Sequence, residues 1–329
     1  MTLIAAFRCE IEGEPGAIIC ADSQESYGDY RVTVDKIEPR DAHLYDLCFG
    51  GAGHIGELID ALGNAIEREV SGWQKPVSEE EARMLLENVV ILFNARQVDA
   101  WPALPDEKVI HFIVCLREKQ SGRIYLWKLA GSTIERLKDH DMIGWGEPLY
   151  KYEAKRLYRH VTDATTAMTL GLHLLSFGKA TATSIDKPFQ VIGVSPTLGM
   201  WIEPQEAVEE LETKVRGVNE TLSRLITLAP DVNATEERFN DAMRLFEQEI
   251  LGLREHTKSV SVSASASISA SPSPGFDEPY TWHPMTSVAA PVYVPEDEAN
   301  KEGQSAVDNA IDVVSESLCS QEVDEDDED

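Results

Sequence analysis

The chain contains few cysteines and no long apolar run. Its five cysteines are an odd number among 329 residues and form no CxxC pair, so neither a disulfide framework nor a cysteine-rich zinc site is expected. No stretch approaches the ~20 consecutive apolar residues of a transmembrane helix. The first residues, MTLIAAFRCE, also lack the basic start and the long apolar core of a secretory signal. These absences predict a protein of the reducing cytoplasm with no membrane partner.

Positive charge is scarce. Lys and Arg total 29 against 58 Asp and Glu, and a formal net charge of −29 argues against nucleic acid or an anionic membrane as the main partner. From Pro274 onward, 16 acidic residues accompany one basic residue. This segment follows the low-complexity run SVSVSASASISASPSPG, and such a composition buries too little apolar surface to offset the loss of chain entropy. Residues 258–329 are therefore predicted to be a Ser-rich and then acidic disordered tail, although the alternation of Ser with Val, Ala and Ile is also the pattern of a strand.

Common motifs for cofactors and catalysis are missing as well. There is no GxxxxGK[ST], GxSxG or HExxH, and the glycine-rich GGAG and GWG segments lack the GxGxxG spacing. Histidines, cysteines and acids do not cluster at the spacing of metal ligands. The sequence therefore predicts no cofactor and no metal ion.

Apolar periodicity divides the chain into three parts. Residues 1–204 alternate runs of strand-forming residues with pairs of helical segments, which predicts an α+β domain with a largely antiparallel sheet system. Residues 205–257 contain two amphipathic runs separated by the turn residues Pro230 and Asp231, which predicts an appended helical hairpin. The tail, residues 258–329, forms the third part.

The start of the chain carries the first indication of chemistry. Removal of Met1 would make Thr2 the terminal residue. A terminal threonine carries a hydroxyl nucleophile and a free α-amine in one residue. The α-amine has an unperturbed pKa of about 8, so it can act as the base without a histidine. A Met-Thr start on its own is common and has no such meaning, so the surrounding pattern decides its interpretation.

That pattern is an ordered series of short segments. It resembles the N-terminal block of proteasome β-type subunits and their bacterial relatives, and the chain is identified as a member of this family of N-terminal-nucleophile (Ntn) hydrolases. The matching segments are Thr2-Leu3-Ile4, Ala21-Asp22-Ser23-Gln24, Lys36-Ile37 and Ala52-Gly53-His54.

The resemblance implies both a fold and a set of catalytic roles. The implied fold is a four-layer αββα Ntn-hydrolase sandwich, with the helical hairpin and the disordered acidic tail added at its C-terminal end. Thr2 would be the nucleophile, Lys36 would lower the pKa of the α-amine, and Asp22 would hold Lys36 by a charge-assisted hydrogen bond. The backbone N–H of Gly53 would serve an oxyanion hole. The resemblance also implies a peptide or protein substrate, a homo-oligomer and, for folded substrates, a separate ATPase unfoldase.

Three departures from the family pattern leave a second function open. Aligned without gaps, Met1 stands where the family has its catalytic threonine, and a one-residue slip in a strand reverses the direction of every side chain. Trp145 replaces a serine of the family's I-G-S-G segment, and no aspartate matches the late R-D-A-x-S-G segment, for which Lys179, Thr183, Ser184 and Asp186 are the nearby residues. The chain is thus predicted to be a threonine-type peptidase or small-amide hydrolase or, alternatively, a catalytically inactive subunit with a structural or binding role.

Overall fold

The computed structural model describes residues 2–27, 30–102, 109–144, 146–159, 161–181, 185, 188–231 and 233–259. The strands in these ranges are β1 (Leu3–Ile11), β2 (Glu14–Asp22), β3 (Gln24–Tyr27), β4 (Tyr30–Thr33), β5 (Ile37–Ala42), β6 (Tyr45–Ala52), β7 (His111–Glu118), β8 (Ile124–Ala130), β9 (Thr133–Arg136), β10 (His140–Gly144), β11 (Phe189–Ser195) and β12 (Gly199–Ile202). The helices are α1 (Gly56–Ser71), α2 (Glu79–Phe93), α3 (Glu147–Tyr158), α4 (Ala164–Thr181), α5 (Gln205–Leu228) and α6 (Glu236–Ser259), and a π-helical turn (Asn94–Val98) follows α2.

The strands form two five-stranded antiparallel sheets. The first sheet has the order β10-β1-β2-β11-β12, and the second has the order β5-β6-β7-β8-β9. A tight turn at Glu12 and Gly13, both with positive φ, joins β1 to β2 and sets Ile11 opposite Glu14. The strands β3 and β4 form a separate two-stranded hairpin between the two sheets in the chain order.

The two sheets share a core. Along β1, Ile4 and Ala6 belong to a buried cluster that also contains Cys48 of β6 and Ile113 of β7, which are strands of the second sheet. Because successive side chains of a strand point to opposite faces, the intervening residues of β1 lie on the other face of the first sheet. Phe7 accordingly packs in a second cluster, together with residues of the helices.

Helices cover the outer face of each sheet. The helices α1 and α2 pack on the second sheet, and Ser78 caps α2 by accepting a hydrogen bond from Glu81 N at 3.2 Å. The helices α3, α4 and α5 contribute to the cluster on the first sheet. Among the described residues, no helix is both long enough and apolar enough to cross a membrane.

The predicted fold class is wrong in its specific form. The structure is a mixed α+β fold with two antiparallel five-stranded sheets and, within the described residues, six helices; it resembles an Ntn sandwich only loosely. Val208, Leu211 and Val215 of α5, the first of the two predicted hairpin helices, are buried in the same cluster as Phe7 of β1 and Leu172 of α4. An apolar stripe reveals that a helix is buried on one side, but it does not reveal the surface against which it packs.

The helices and strands do not test two other predictions, the domain division and the disorder of the tail. The division at residues 204 and 257 stays a prediction. The tail from residue 260 onward, including its predicted disorder, lies outside the described residues.

Candidate active site

Asp22 is the last residue of β2 and is completely buried. Its Oδ1 accepts a hydrogen bond from Leu3 N at 2.8 Å, and its Oδ2 accepts one from Gln24 N at 3.3 Å. Burial raises the pKa of the Asp22 carboxyl, and the Lys36 ammonium and these backbone donors oppose the rise. The carboxyl group therefore ties the start of β1, the residue next to Thr2, to the end of β2.

Lys36 forms an ion pair with Asp22. The distance from Lys36 Nζ to Asp22 Oδ2 is 2.9 Å, and only 6% of the lysine side chain is exposed. Lys36 Nζ also donates a hydrogen bond to the backbone carbonyl of Gln24. The structure thus brings together two of the residues that the resemblance singled out.

Gln190 of β11 holds the backbone segment that carries Lys36. Its Oε1 accepts hydrogen bonds from Lys36 N at 2.8 Å and Ile37 N at 3.4 Å, and its Nε2 donates to Asp35 Oδ1. Sequence reasoning missed this residue. The only available signal was a single polar side chain in the apolar strand FQVIGV.

Thr2 and Lys36 line the same open cavity, which has a volume of about 620 Å³. Thr2 directly precedes β1, so strand alternation places its side chain on the face of Ile4, which is directed toward the second sheet. The strand alternation and the cavity lining therefore both place Thr2 on the side of the first sheet that faces the second sheet. Met1 lies outside the described residues.

Close backbone contacts at two glycines shape the surroundings of Thr2. Gly144 of β10 has a φ of +107°, and a Cβ built there would lie 1.8 Å from Thr2 O. Gly50 of β6 lines the cavity, and a Cβ there would lie 2.7 Å from Lys36 O and 2.8 Å from Ile4 Cδ1. Both positions therefore require glycine for the strands to approach the Thr2 and Lys36 backbone this closely.

Gly53 is the residue whose backbone N–H the resemblance assigned to an oxyanion hole. It is exposed in the bend between β6 and α1 and is not among the residues that line the cavity, whereas Gly50, Gly51 and Gly56 are. Gly56 is the first residue of α1, whose N-cap residue Ile55 makes no side-chain capping hydrogen bond. The start of a helix presents backbone N–H groups and a partial positive charge, so this helix end is a second candidate for binding an oxyanion. The role of Gly53 stays a prediction.

The structure describes only some of the residues at which the chain departs from the family pattern. Trp145, Thr183, Ser184 and Asp186 lie outside the described residues. Lys179 is an exposed residue in the last turn of α4. In the described ranges, no group of three or more His, Cys, Asp or Glu side chains is placed to hold a metal ion.

Solved structures of ancestral β-subunits share this fold. Anbu from Yersinia bercovieri aligns with a TM-score of 0.55 and 15% identity over 70% of this chain and 100% of its own. A Gly-1 mutant of Anbu from Hyphomicrobium sp. strain MC1 gives a TM-score of 0.56 and 14% identity over 72% and 100% of the two chains. The helical assembly of the Anbu complex from Pseudomonas aeruginosa gives 0.53 and 14% over 68% and 96%.

These comparisons correct the family assignment made from the sequence. No family model and no curated protein matches the chain. Identities of 14–16% to the solved structures show similarity of fold alone. The assignment of the chain to the proteasome β-type and bacterial proteasome-like Ntn family was therefore wrong. The comparisons support only a loose relation to such proteins. A series of short motifs can reflect a shared strand and turn geometry, and this explains why it does not establish a family.

Proposed function

We propose that this protein hydrolyses amide bonds of peptides through Thr2 once Met1 has been removed. The observation that carries the proposal is the buried Asp22–Lys36 ion pair beside the cavity that Thr2 lines. The hydrogen bond from Leu3 N to Asp22 fixes the residue next to the nucleophile. The similarity of fold to Anbu, an ancestral β-subunit, also supports the proposal.

The proposed chemistry uses the hydroxyl and α-amine of Thr2, the Lys36 ammonium and backbone N–H groups. The Lys36 ammonium disfavours protonation of the nearby α-amine and so lowers its pKa below the usual value of about 8. The neutral amine takes the proton of the Thr2 hydroxyl, and Thr2 Oγ forms a bond to the carbonyl carbon of the substrate. Backbone N–H groups at the start of α1 stabilise the negative charge that develops on the carbonyl oxygen.

The remaining steps return the enzyme to its starting state. The C–N bond of the substrate breaks, and the leaving amine takes the proton from the α-ammonium. An ester between Thr2 Oγ and the acyl group remains. The α-amine then removes a proton from a water molecule, whose oxygen attacks the ester. The bond between Thr2 Oγ and the acyl carbon breaks, the α-ammonium returns its proton to Thr2 Oγ, and the carboxylic acid leaves.

Hydrolysis of a panel of fluorogenic peptide amides by the full chain tests this proposal. Thr2→Ala should reduce the rate by about 10²- to 10⁴-fold, because the nucleophile is lost. Thr2→Ser is the matched control, since it keeps a hydroxyl next to the α-amine and should retain part of the activity. Equal rates for the wild type and Thr2→Ala would exclude Thr2 as the nucleophile.

The competing function is a catalytically inactive subunit with a structural or binding role. It is favoured by two departures from the family pattern: Trp145 stands in place of a serine, and no aspartate matches the late R-D-A-x-S-G segment. In that case the wild type would show no hydrolysis above the rate of Thr2→Ala.

We further propose that the protein assembles into a homo-oligomer. The support comes from the Pseudomonas aeruginosa Anbu complex, which is described as a helical assembly, and from large exposed apolar side chains such as Tyr152 and Ile226. Folded protein substrates would need an ATPase unfoldase on a separate chain. The free thiols of Cys9, Cys20, Cys48 and Cys115 fit a reducing compartment such as the cytoplasm.

A further inference from the structure

The cavity next to Thr2 has a lining of mixed character. Apolar atoms come from Phe49 and Ile59, which lie on β6 and α1. Carboxylates also line it, and they outnumber the cations. The charged lining residues are Asp35, Glu38, Glu57 and Asp60 on the acidic side and Lys36 and Arg40 on the basic side.

Both cations of the lining are already engaged by carboxylates. Lys36 pairs with the buried Asp22 at 2.9 Å. Arg40 pairs with Glu38 and lies 3.7 Å from Glu67 through its Nε atom. A ligand that enters the cavity therefore meets an excess of negative charge.

The carboxylates of the lining act on one another. Partial burial raises the pKa of Glu38, Arg40 opposes the rise, and the nearby charges of Asp60, Asp35 and Glu67 raise the pKa further. A cation placed among these groups would offset their mutual repulsion. A neutral or acidic group in the same place would not.

The combination of an apolar wall and an acidic lining fits one class of side chain. Lysine and arginine place a hydrocarbon stem against apolar surface and keep a charged head near polar groups. A volume of about 620 Å³ is in the usual range for ligand cavities and accommodates such a side chain with part of a peptide backbone. We propose that this cavity selects peptides that carry a lysine or arginine beside the bond that Thr2 cleaves, a specificity that rests on the proposed function of Thr2.

Binding to the full-length Thr2→Ala variant tests the specificity separately from catalysis. The probes are two acetylated peptide amides that differ only in one residue, arginine in one and the neutral isostere citrulline in the other. Titration calorimetry at low salt should show about tenfold tighter binding of the arginine peptide, as expected for two or three partly exposed charge pairs. The preference should shrink as the salt concentration rises.

Substitutions of exposed cavity residues locate the origin of the preference. Glu57 and Asp60 are exposed residues of α1, so Glu57→Gln together with Asp60→Asn should leave the fold intact. This double substitution, made in the Thr2→Ala protein, should reduce the preference to about threefold or less. Glu135→Gln is the matched control, because Glu135 is exposed on β9 and does not line the cavity.

Each outcome has a separate meaning. Equal binding of the two peptides, no binding of either, or a preference that survives the double substitution would overturn the proposed specificity. If the wild type also cleaves neutral peptides at a rate that depends on Thr2, the proposed function stands without the specificity. If the arginine peptide binds selectively but no peptide is cleaved, the preference of the cavity for a cationic side chain stands and the proposed catalysis fails.

Discussion

At the scale of single residues, Asp22 and Lys36 carry opposite charges in a region that solvent barely reaches. The Asp22 side chain is fully buried, and 6% of the Lys36 side chain is exposed. Such a pair contributes little net stability when intact, because desolvation of both ions offsets their attraction. Removal of one partner is costly, because it leaves a buried charge without its counter-ion.

We therefore predict that Lys36→Met destabilises the fold by about 3–5 kcal/mol, measured as the free energy of unfolding in denaturant. The double variant Lys36→Met with Asp22→Asn removes both charges and should recover much of this loss. Arg244→Met is the control, because Arg244 and Asp241 form an exposed pair that should contribute less than about 1 kcal/mol. Equal stability of the single and double variants would contradict the assignment of a coupled buried pair.

The sequence pattern identified Asp22 and Lys36 as candidate site residues, but it could not show which residues contact them. Lys36 N and its acceptor Gln190 Oε1 are separated by 154 positions in the chain, so no local pattern reveals their contact. In the fold, β11, which carries Gln190, pairs with β2, which ends at Asp22. The glycines show a second limit of the sequence pattern. The sequence shows that Gly53 belongs to a glycine-rich segment, but it does not show that the glycines lining the cavity are Gly50, Gly51 and Gly56.

At the scale of secondary structure, periodicity predicted the long elements well. The two amphipathic runs predicted within residues 205–257 correspond to α5 and α6. The short strands β3, β4, β5, β9 and β10 were not predicted. The strand β9 shows the reason, since only Ile134 of its four residues is buried and no alternating pattern can be read from so few positions.

The burial of α5 leads to a prediction with a control in the same helix. Leu211→Ala should cost about 2–5 kcal/mol of unfolding free energy, because Leu211 is buried against the first sheet. Leu222→Ala should cost less than about 1 kcal/mol, because 40% of Leu222 is exposed. Similar small losses for both variants would indicate that α5 is a separate addition and not part of the core.

At the scale of the whole molecule, an α+β architecture was accessible from the order of strands and helices, but the arrangement of layers was not. The sequence pattern does not encode which helix covers which sheet, because that choice depends on contacts between distant segments. The same limit applies to assembly. Exposed apolar residues such as Tyr152, which is 72% exposed, indicate a contact surface but not what binds to it.

We predict that the full chain sediments as a homo-oligomer at micromolar concentration, with a mass that is a multiple of 36.5 kDa. The reason is the exposed apolar surface, whose removal from water favours association. A chain that ends at residue 259 is the control, because the core clusters of the described residues extend only to Leu253. The truncated chain should keep the oligomeric state, and a monomer of the full chain would contradict the prediction.

One mass-spectrometric measurement tests directly whether Thr2 is a terminal nucleophile. The full-length protein is treated with an epoxyketone, an electrophile that reacts with both the hydroxyl and the α-amine of a terminal threonine, and the intact mass and the labelled peptide are determined. We predict that Met1 is absent, that one label is attached at Thr2, and that Thr2→Ala is not labelled. Retention of Met1, or equal labelling of the wild type and Thr2→Ala, would contradict the proposed role of Thr2.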